Sequence, residues 1–183
     1  WSIKPDITAP GDSILSAIGT GNEANRRYIF SALGGTSMAA PHVTGAAALL
    51  RAAHPDWTTD QVRSVLIGYS SPTVTVDPVD PRPATLGEAG PGRLDLQWVM
   101  DPGAFMDPPK LSYGEVPEGE VREMEVLLES ASEADETWTL AVEAREGNAE
   151  VSLSDETVTV PAGGTATFTV SLDATGATGE DHG

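Results

Sequence analysis

Gly34-Gly35-Thr36-Ser37-Met38-Ala39-Ala40-Pro41-His42 is the stretch on which the reading of this chain turns. Two glycines, free to take backbone that a side chain would block, lead into a Thr-Ser pair where a long apolar run begins. Thr36 has the chemistry of a helix cap, accepting from the first free amides. Ser37 then falls at the positive end of the helix, where negative charge on its oxygen is favoured. A serine held this way is a candidate nucleophile, and its own amide can face the oxyanion it creates. The plainer alternative is that Thr36 and Ser37 only cap a helix.

The full string tips the balance. Gly-Thr-Ser-Met-Ala-Ala-Pro-His, preceded by Lys4-Pro5-Asp6-Ile7-Thr8-Ala9-Pro10-Gly11, resembles the subtilisin-like serine proteases, or subtilases. The resemblance covers residues 1–106 and implies the last part of an α/β, parallel-sheet catalytic domain. It assigns Ser37 as the nucleophile, with its amide as half of an oxyanion hole, and Thr36, Gly35 and Met38 as supporting residues. It implies a polypeptide substrate, a secreted protein, no metal or cofactor within this chain, and structural calcium only in the remainder of such a domain.

Composition narrows the alternatives. The chain has 183 residues, 39% hydrophobic and 21% charged, which is room for one large or two small domains. No run of eighteen apolar residues occurs, so no membrane-spanning helix is expected. The sequence contains no cysteine, so disulfides and thiolate metal sites are absent. Its opening, Trp1-Ser2-Ile3, reads like mid-domain sequence, and a longer parent protein is expected. A net charge of −18 argues against nucleic acid as a partner. Residues 1–107 hold 11 acids and 7 bases, whereas residues 108–183 hold 17 acids and 3 bases. That asymmetry points to two units with different surfaces.

Taken in order, residues 1–11 read as a strand entering a tight loop, with Asp6 a structural hydrogen-bonding residue. Ser13 to Ile18 is extended, Gly19 to Arg27 a surface loop, and Tyr28 to Leu33 a strand delivering the chain to Gly34. From Ser37 to about Ala53 the residues are apolar all round, which predicts a buried helix. Pro41 lies one turn in, where its missing N–H leaves the Ser37 carbonyl unpaired and its ring distorts the first turn. Thr58-Thr59-Asp60-Gln61 has the form of a capping box, followed by Val62, Val65, Leu66 and Tyr69 on one helical face. Ser70 to Pro91 carries five prolines and reads as loop, and a short helix is expected near Leu96 to Met100.

Beyond Met106-Asp107-Pro108-Pro109 the period becomes two. Alternation at Met124–Leu128, Trp138–Ala144 and Ala166–Leu172, with Val151–Leu153, Val158–Val160 and Lys110–Tyr113, predicts about six strands. Residues 108–175 thus read as an all-β sandwich that resembles fibronectin type III-like modules and packs on the catalytic part. Residues 176–183 read as a disordered tail.

A serine nucleophile needs a base within hydrogen-bond reach and an orienting partner for that base. His42, five residues after Ser37, lies roughly 140° around the helix and points away. His54 is about 25 Å along the same helix, and His182 is in the tail. None is a credible base. The resemblance places the base, its aspartate and the side-chain oxyanion donor upstream, so the chain alone is expected to be inactive. The alternative is a non-catalytic relative that binds protein or polysaccharide through its sandwich.

Overall fold

A computed structural model of the chain describes residues 3–20, 27–72, 74–75, 81–144 and 147–176. Strands β1 (Ile14–Thr20) and β2 (Arg27–Leu33) form an antiparallel ribbon in which Ile14 faces Leu33. The expected loop falls largely on residues 21–26, outside the described residues. Leu15, Ile29, Phe30 and Leu33 of the ribbon are exposed. The ribbon ends at Gly34-Gly35, and helix α1 (Thr36–Ala53) follows.

Helix α2 (Thr59–Gly68) begins at the capping box read from the sequence. Thr58 Oγ1 accepts from Gln61 N at 3.2 Å, and Gln61 Oε1 accepts from Thr58 N at 2.8 Å. Val62, Val65 and Leu66 of α2 join Ala46 and Leu50 of α1 in a core that also holds Val99 and Phe105. Only Ala46 and Leu50 of α1 are buried, and Leu49 remains 54% exposed. The helix expected to be buried on every face is therefore covered on one face, because α2 is the helix packed against it.

Two short helices complete this part. One, α3 (Leu86–Ala89), lies inside the stretch read as loop, with Thr85 and Glu88 forming a second capping box. The other, α4 (Leu96–Val99), is where a short helix was expected, with Asp95 accepting from Gln97 N at 2.9 Å.

The remaining strands are β3 (Ala104–Asp107), β4 (Val121–Ser130), β5 (Glu136–Thr139), β6 (Glu150–Leu153), β7 (Thr157–Val160) and β8 (Thr165–Asp173). They form a four-stranded antiparallel sheet in the order β3-β4-β8-β6 and a two-stranded antiparallel sheet β5-β7. Val126 and Leu128 of β4, Val170 of β8 and Val158 and Val160 of β7 share one buried cluster, so both sheets contribute to a single core. Strand β6 pairs on β8 from Glu150 to Leu153.

Several strand expectations change: residues 4–11 make only an isolated bridge at Thr8, and the strand expected over Trp138–Ala144 ends at Thr139. Lys110 to Tyr113 is not a strand. Lys110 instead reaches back to Ile3 O and Asp6, and the Tyr113 hydroxyl donates to Val170 O at 2.7 Å. Its place at the sheet edge is taken by β3, on the other side of the proline pair. The resemblance also implied a parallel sheet. Among the described residues the sheets are all antiparallel, and the one parallel pairing is the isolated bridge Thr8–Arg93.

Strand β3 joins the helical part to the sheets. One of its edges pairs with β4. On the other edge, Ser64 Oγ donates to Met106 O at 2.8 Å and accepts from Met106 N at 2.6 Å. Two residues away, the Tyr69 hydroxyl donates to Ala104 O at 2.8 Å and accepts from Ala104 N at 3.1 Å. Side chains of α2 and of Tyr69 at its C-cap thus satisfy backbone groups that an edge strand would leave open. Ser64 is 3% exposed, the one buried polar residue in the described chain, and this pairing explains its burial. Among the described residues no helix is long and apolar enough to cross a membrane.

Candidate functional site

Three constraints hold the turn between β2 and α1. Gly35 takes φ 143° and ψ 170°, a region essentially closed to side chains, so only glycine fits without strain. Its N–H donates to Gly11 O at 2.7 Å, tying the turn to the end of the residue 4–11 segment. Its carbonyl accepts from Met38 N at 2.9 Å and from Ala39 N at 3.3 Å, starting α1. A Cβ on Gly34 would stand 2.9 Å from Oδ1 of the exposed Asp12 side chain, which would have to shift to admit it.

Gly35 is therefore the N-cap of α1, and no side chain caps the helix. Thr36, expected as a cap, is instead the first helical residue. This correction matters chemically. With no side-chain acceptor and no acidic residue in the first turn, the backbone amides of Thr36 and Ser37 have no partner among the described residues. The positive end of an 18-residue helix thus stays open beside an exposed Ser37. The Ser37 hydroxyl likewise has no hydrogen-bond partner among the described residues. Met38, next to it, is half-buried. Pro41 lies inside α1, which is continuous across it, and supplies no N–H to the Ser37 carbonyl.

Neither described histidine serves Ser37. His42 Nδ1 donates to Met38 O at 2.9 Å, one turn back along its own helix. His54 Nε2 donates to Met100 O at 3.0 Å, and the ring stacks on Trp57 at 3.8 Å. His182 lies outside the described residues. The chain thus brings Gly35, Thr36, Ser37 and Met38 together, and neither described histidine is hydrogen-bonded to Ser37.

The segment before the turn is anchored along its length. Thr8 N and Thr8 Oγ1 both donate to Gly92 O at 2.9 Å, and Leu94 N donates to Thr8 O at 2.7 Å. Asp6 receives Lys110 at 2.8 Å and Lys4 at 2.5 Å. The Lys110 hydrogen bond, followed by that of Lys4, draws the Asp6 carboxyl down to about 2 from its ordinary 3.8. Asp6 is a paired structural carboxylate, not the partner of a histidine. Gly11, Asp12 and Lys110 were not singled out in the sequence. Gly11 had a local signal, because it closes the Lys4–Gly11 motif and a Cβ on it would lie 3.0 Å from Gly35 O.

An open helix end, a glycine hinge and an exposed serine thus lie together at the turn between β2 and α1. The family model described as the Subtilase family matches residues 1–90, just under half of the chain. Among curated proteins, the chain is 41% identical over 122 residues to "Subtilisin-like protease SBT1.5" of Arabidopsis thaliana, covering 61% of this chain and 16% of that protein. It is 37% identical over 124 residues to "Subtilisin-like protease SBT3" of Solanum lycopersicum, covering 60% and 16%. It is 32% identical over 114 residues to the "Minor extracellular protease Vpr" of Bacillus subtilis (strain 168), covering 62% and 14%. These matches support a subtilase identity for the part of the chain that carries Ser37. The chain spans about one sixth of the length of these relatives.

Proposed function

We propose that this chain is the nucleophile-bearing part of a subtilisin-like serine endopeptidase, in which Ser37 attacks the peptide carbonyl and forms an acyl-enzyme. The observation that carries this reading is the exposed, unpartnered Ser37 at the uncapped start of α1. There its hydroxyl is open to a substrate, and its amide is free to hold the developing oxyanion. Gly35 keeps the approach clear of side chains, Thr36 adds a second free amide, and Met38 lines the site beside the nucleophile. The base, its orienting carboxylate and a further oxyanion donor come from residues of the parent protein outside this chain. The engagement of His42 and His54 elsewhere supports that division.

The substrate is a polypeptide, and the parent protein acts outside the cell, as the printed name of the Bacillus relative suggests. Residues 1–106 form the catalytic part and residues 108–175 a fibronectin type III-like sandwich, followed by a tail at 176–183. The shared core of the two sheets supports the sandwich, and the contacts of Lys110 with Ile3 O and Asp6 support its packing on the catalytic part. No cofactor is used by this chain, and structural calcium belongs to the remainder of the parent.

The test is Ser37→Ala in the full-length protein, assayed on a denatured protein substrate. Activity falls to background while secretion and folding persist. Full activity in that variant overturns the assignment. The chain of 183 residues alone has no serine-inhibitor-sensitive peptidase activity, and turnover by it contradicts the division of the catalytic groups. The missing base also leaves a second reading, a non-catalytic protein that binds through its sandwich; an upstream segment lacking histidine and aspartate would decide for it.

A further inference from the structure

The turn before Ser37 is held by backbone in place of a side-chain cap. At an ordinary helix start, the N-cap side chain accepts from the amide two or three residues further on. Counted from the N-cap Gly35, those amides belong to Ser37 and Met38. A capping side chain would therefore compete for the Ser37 amide, the donor best placed to meet a developing oxyanion. The chain fixes Gly35 in another way. Gly11 O accepts from Gly35 N at 2.7 Å, and this leaves the amides of Thr36 and Ser37 without a partner among the described residues.

The Gly11 carbonyl is a fixed point. Earlier on the same segment, Thr8 is pinned by Gly92 O and Leu94 N, and Ile7 packs against the helical core. Pro10, with its φ locked by the ring, joins that anchored part to Gly11. The approach to the turn is also close. A Cβ on Gly11 would stand 3.0 Å from Gly35 O and 3.1 Å from Ala39 Cβ, so a neighbour would have to give by a few tenths of an ångström. Because the segment is pinned, the side that gives is Gly35 O. That oxygen accepts from Met38 N and Ala39 N, and so carries the first turn of α1 with it.

We propose that Gly11 is a positioning residue for the nucleophile: its bare α-carbon and its carbonyl set where the Ser37 hydroxyl and amide stand, and a side chain there slows turnover by displacing them. The inference rests on the reading of Ser37 as the nucleophile and adds a requirement to it. Gly11 acts through Gly35, with no contact to the substrate. Misplacing a reacting group by about 1 Å costs about a hundredfold in rate, so a few tenths of an ångström costs about fivefold to tenfold.

The test uses the full-length protein, with Ser37→Ala, Gly11→Ala and Gly11→Ala/Ala39→Gly compared and rates taken per active site titrated with a fluorophosphonate ester. Activity that survives Ser37→Ala overturns the nucleophile assignment itself; with that variant inactive, the other outcomes concern Gly11 alone. Gly11→Ala lowers kcat by about fivefold to tenfold and leaves KM within about twofold, the pattern of an interaction made only in the transition state. Labelling of Ser37 slows by a similar factor. Ala39→Gly removes one of the two close contacts, so the double variant recovers part of the lost kcat. An unchanged kcat per titrated site in Gly11→Ala, with only the thermal midpoint lowered, overturns the proposal, as does a raised KM at constant kcat. Where Gly11→Ala gives no folded protein, the double variant decides: a reduced kcat supports the proposal and the parent's kcat overturns it.

Discussion

Replacing either of two glycines ten positions apart by alanine should move stability in opposite directions, and the signs follow from backbone geometry alone. At Gly35, φ 143° and ψ 170° lie in a region essentially reserved for glycine. A Cβ added there meets nothing nearer than Ser37 N at 3.9 Å, so the cost of alanine is torsional and not a clash. Holding a non-glycine residue in such a region costs about 1–3 kcal/mol. Gly45 sits in the interior of α1, and a Cβ on it meets nothing within 4 Å. Alanine there removes the entropic penalty of a helical glycine and stabilises by about 0.5–1 kcal/mol. Equilibrium urea denaturation of the chain and its two variants, followed by far-ultraviolet circular dichroism, measures both. Gly35→Ala lowers the midpoint and Gly45→Ala raises it. A Gly35→Ala variant within about 0.5 kcal/mol of the parent would refute the geometry assigned to the turn, and with it the reason Ser37 stands where it does.

Further outcomes concern the clamp, the caps and the methionine. The Asp6 carboxyl, held near 2 in the folded chain against an ordinary 3.8, contributes stability that is fully present above about pH 4 and is lost as pH falls toward 2. With the side chain 32% exposed, solvent screening reduces that contribution to about 1 kcal/mol, and Asp6→Asn removes the corresponding acid dependence in urea titrations at pH 2 to 5. Thr58→Ala breaks the capping box of α2 and costs about 1 kcal/mol in the same titration. Thr36→Ala, which removes no cap, changes stability by no more than about 0.5 kcal/mol. Equal losses from the two threonine variants would contradict the cap assignment. On the proposed function, peroxide converts Met38 to a polar sulfoxide beside Ser37 and slows turnover of the full-length protein, and Met38→Ala removes that sensitivity. Unchanged inactivation kinetics in the variant would dispose of the link.

The elements read correctly from sequence are those whose signals are local. The capping box at Thr58–Gln61 names its partners within one turn, and α2 begins there. Strand β2 and α1 follow from the apolar run on either side of Gly34-Gly35. By the same local logic Thr85-Leu86-Gly87-Glu88 announces α3, but prolines on both sides hid it. What sequence could not show depends on distant partners. Strand β3 has only four residues and exists because β4 pairs with one edge while Ser64 and Tyr69 satisfy the other. Lys110 looked like the start of a strand, yet its ammonium is drawn to Ile3 O and Asp6, more than a hundred residues back. Thr36 had the residue type of a cap, and Gly35 took that place because its N–H is held by Gly11 O. Ser37 could be put forward as a nucleophile from its motif. The absence of a cap on its helix, which leaves its amide free, needed the structure.

The central claim is that Ser37 is an activated nucleophile once the parent protein supplies its base. Treating the full-length protein with a fluorophosphonate ester and locating the adduct by peptide mass spectrometry tests this directly. The account predicts one adduct per chain, on Ser37, formed in step with loss of peptidase activity. Complete inactivation with the adduct on another residue and Ser37 unmodified would contradict it.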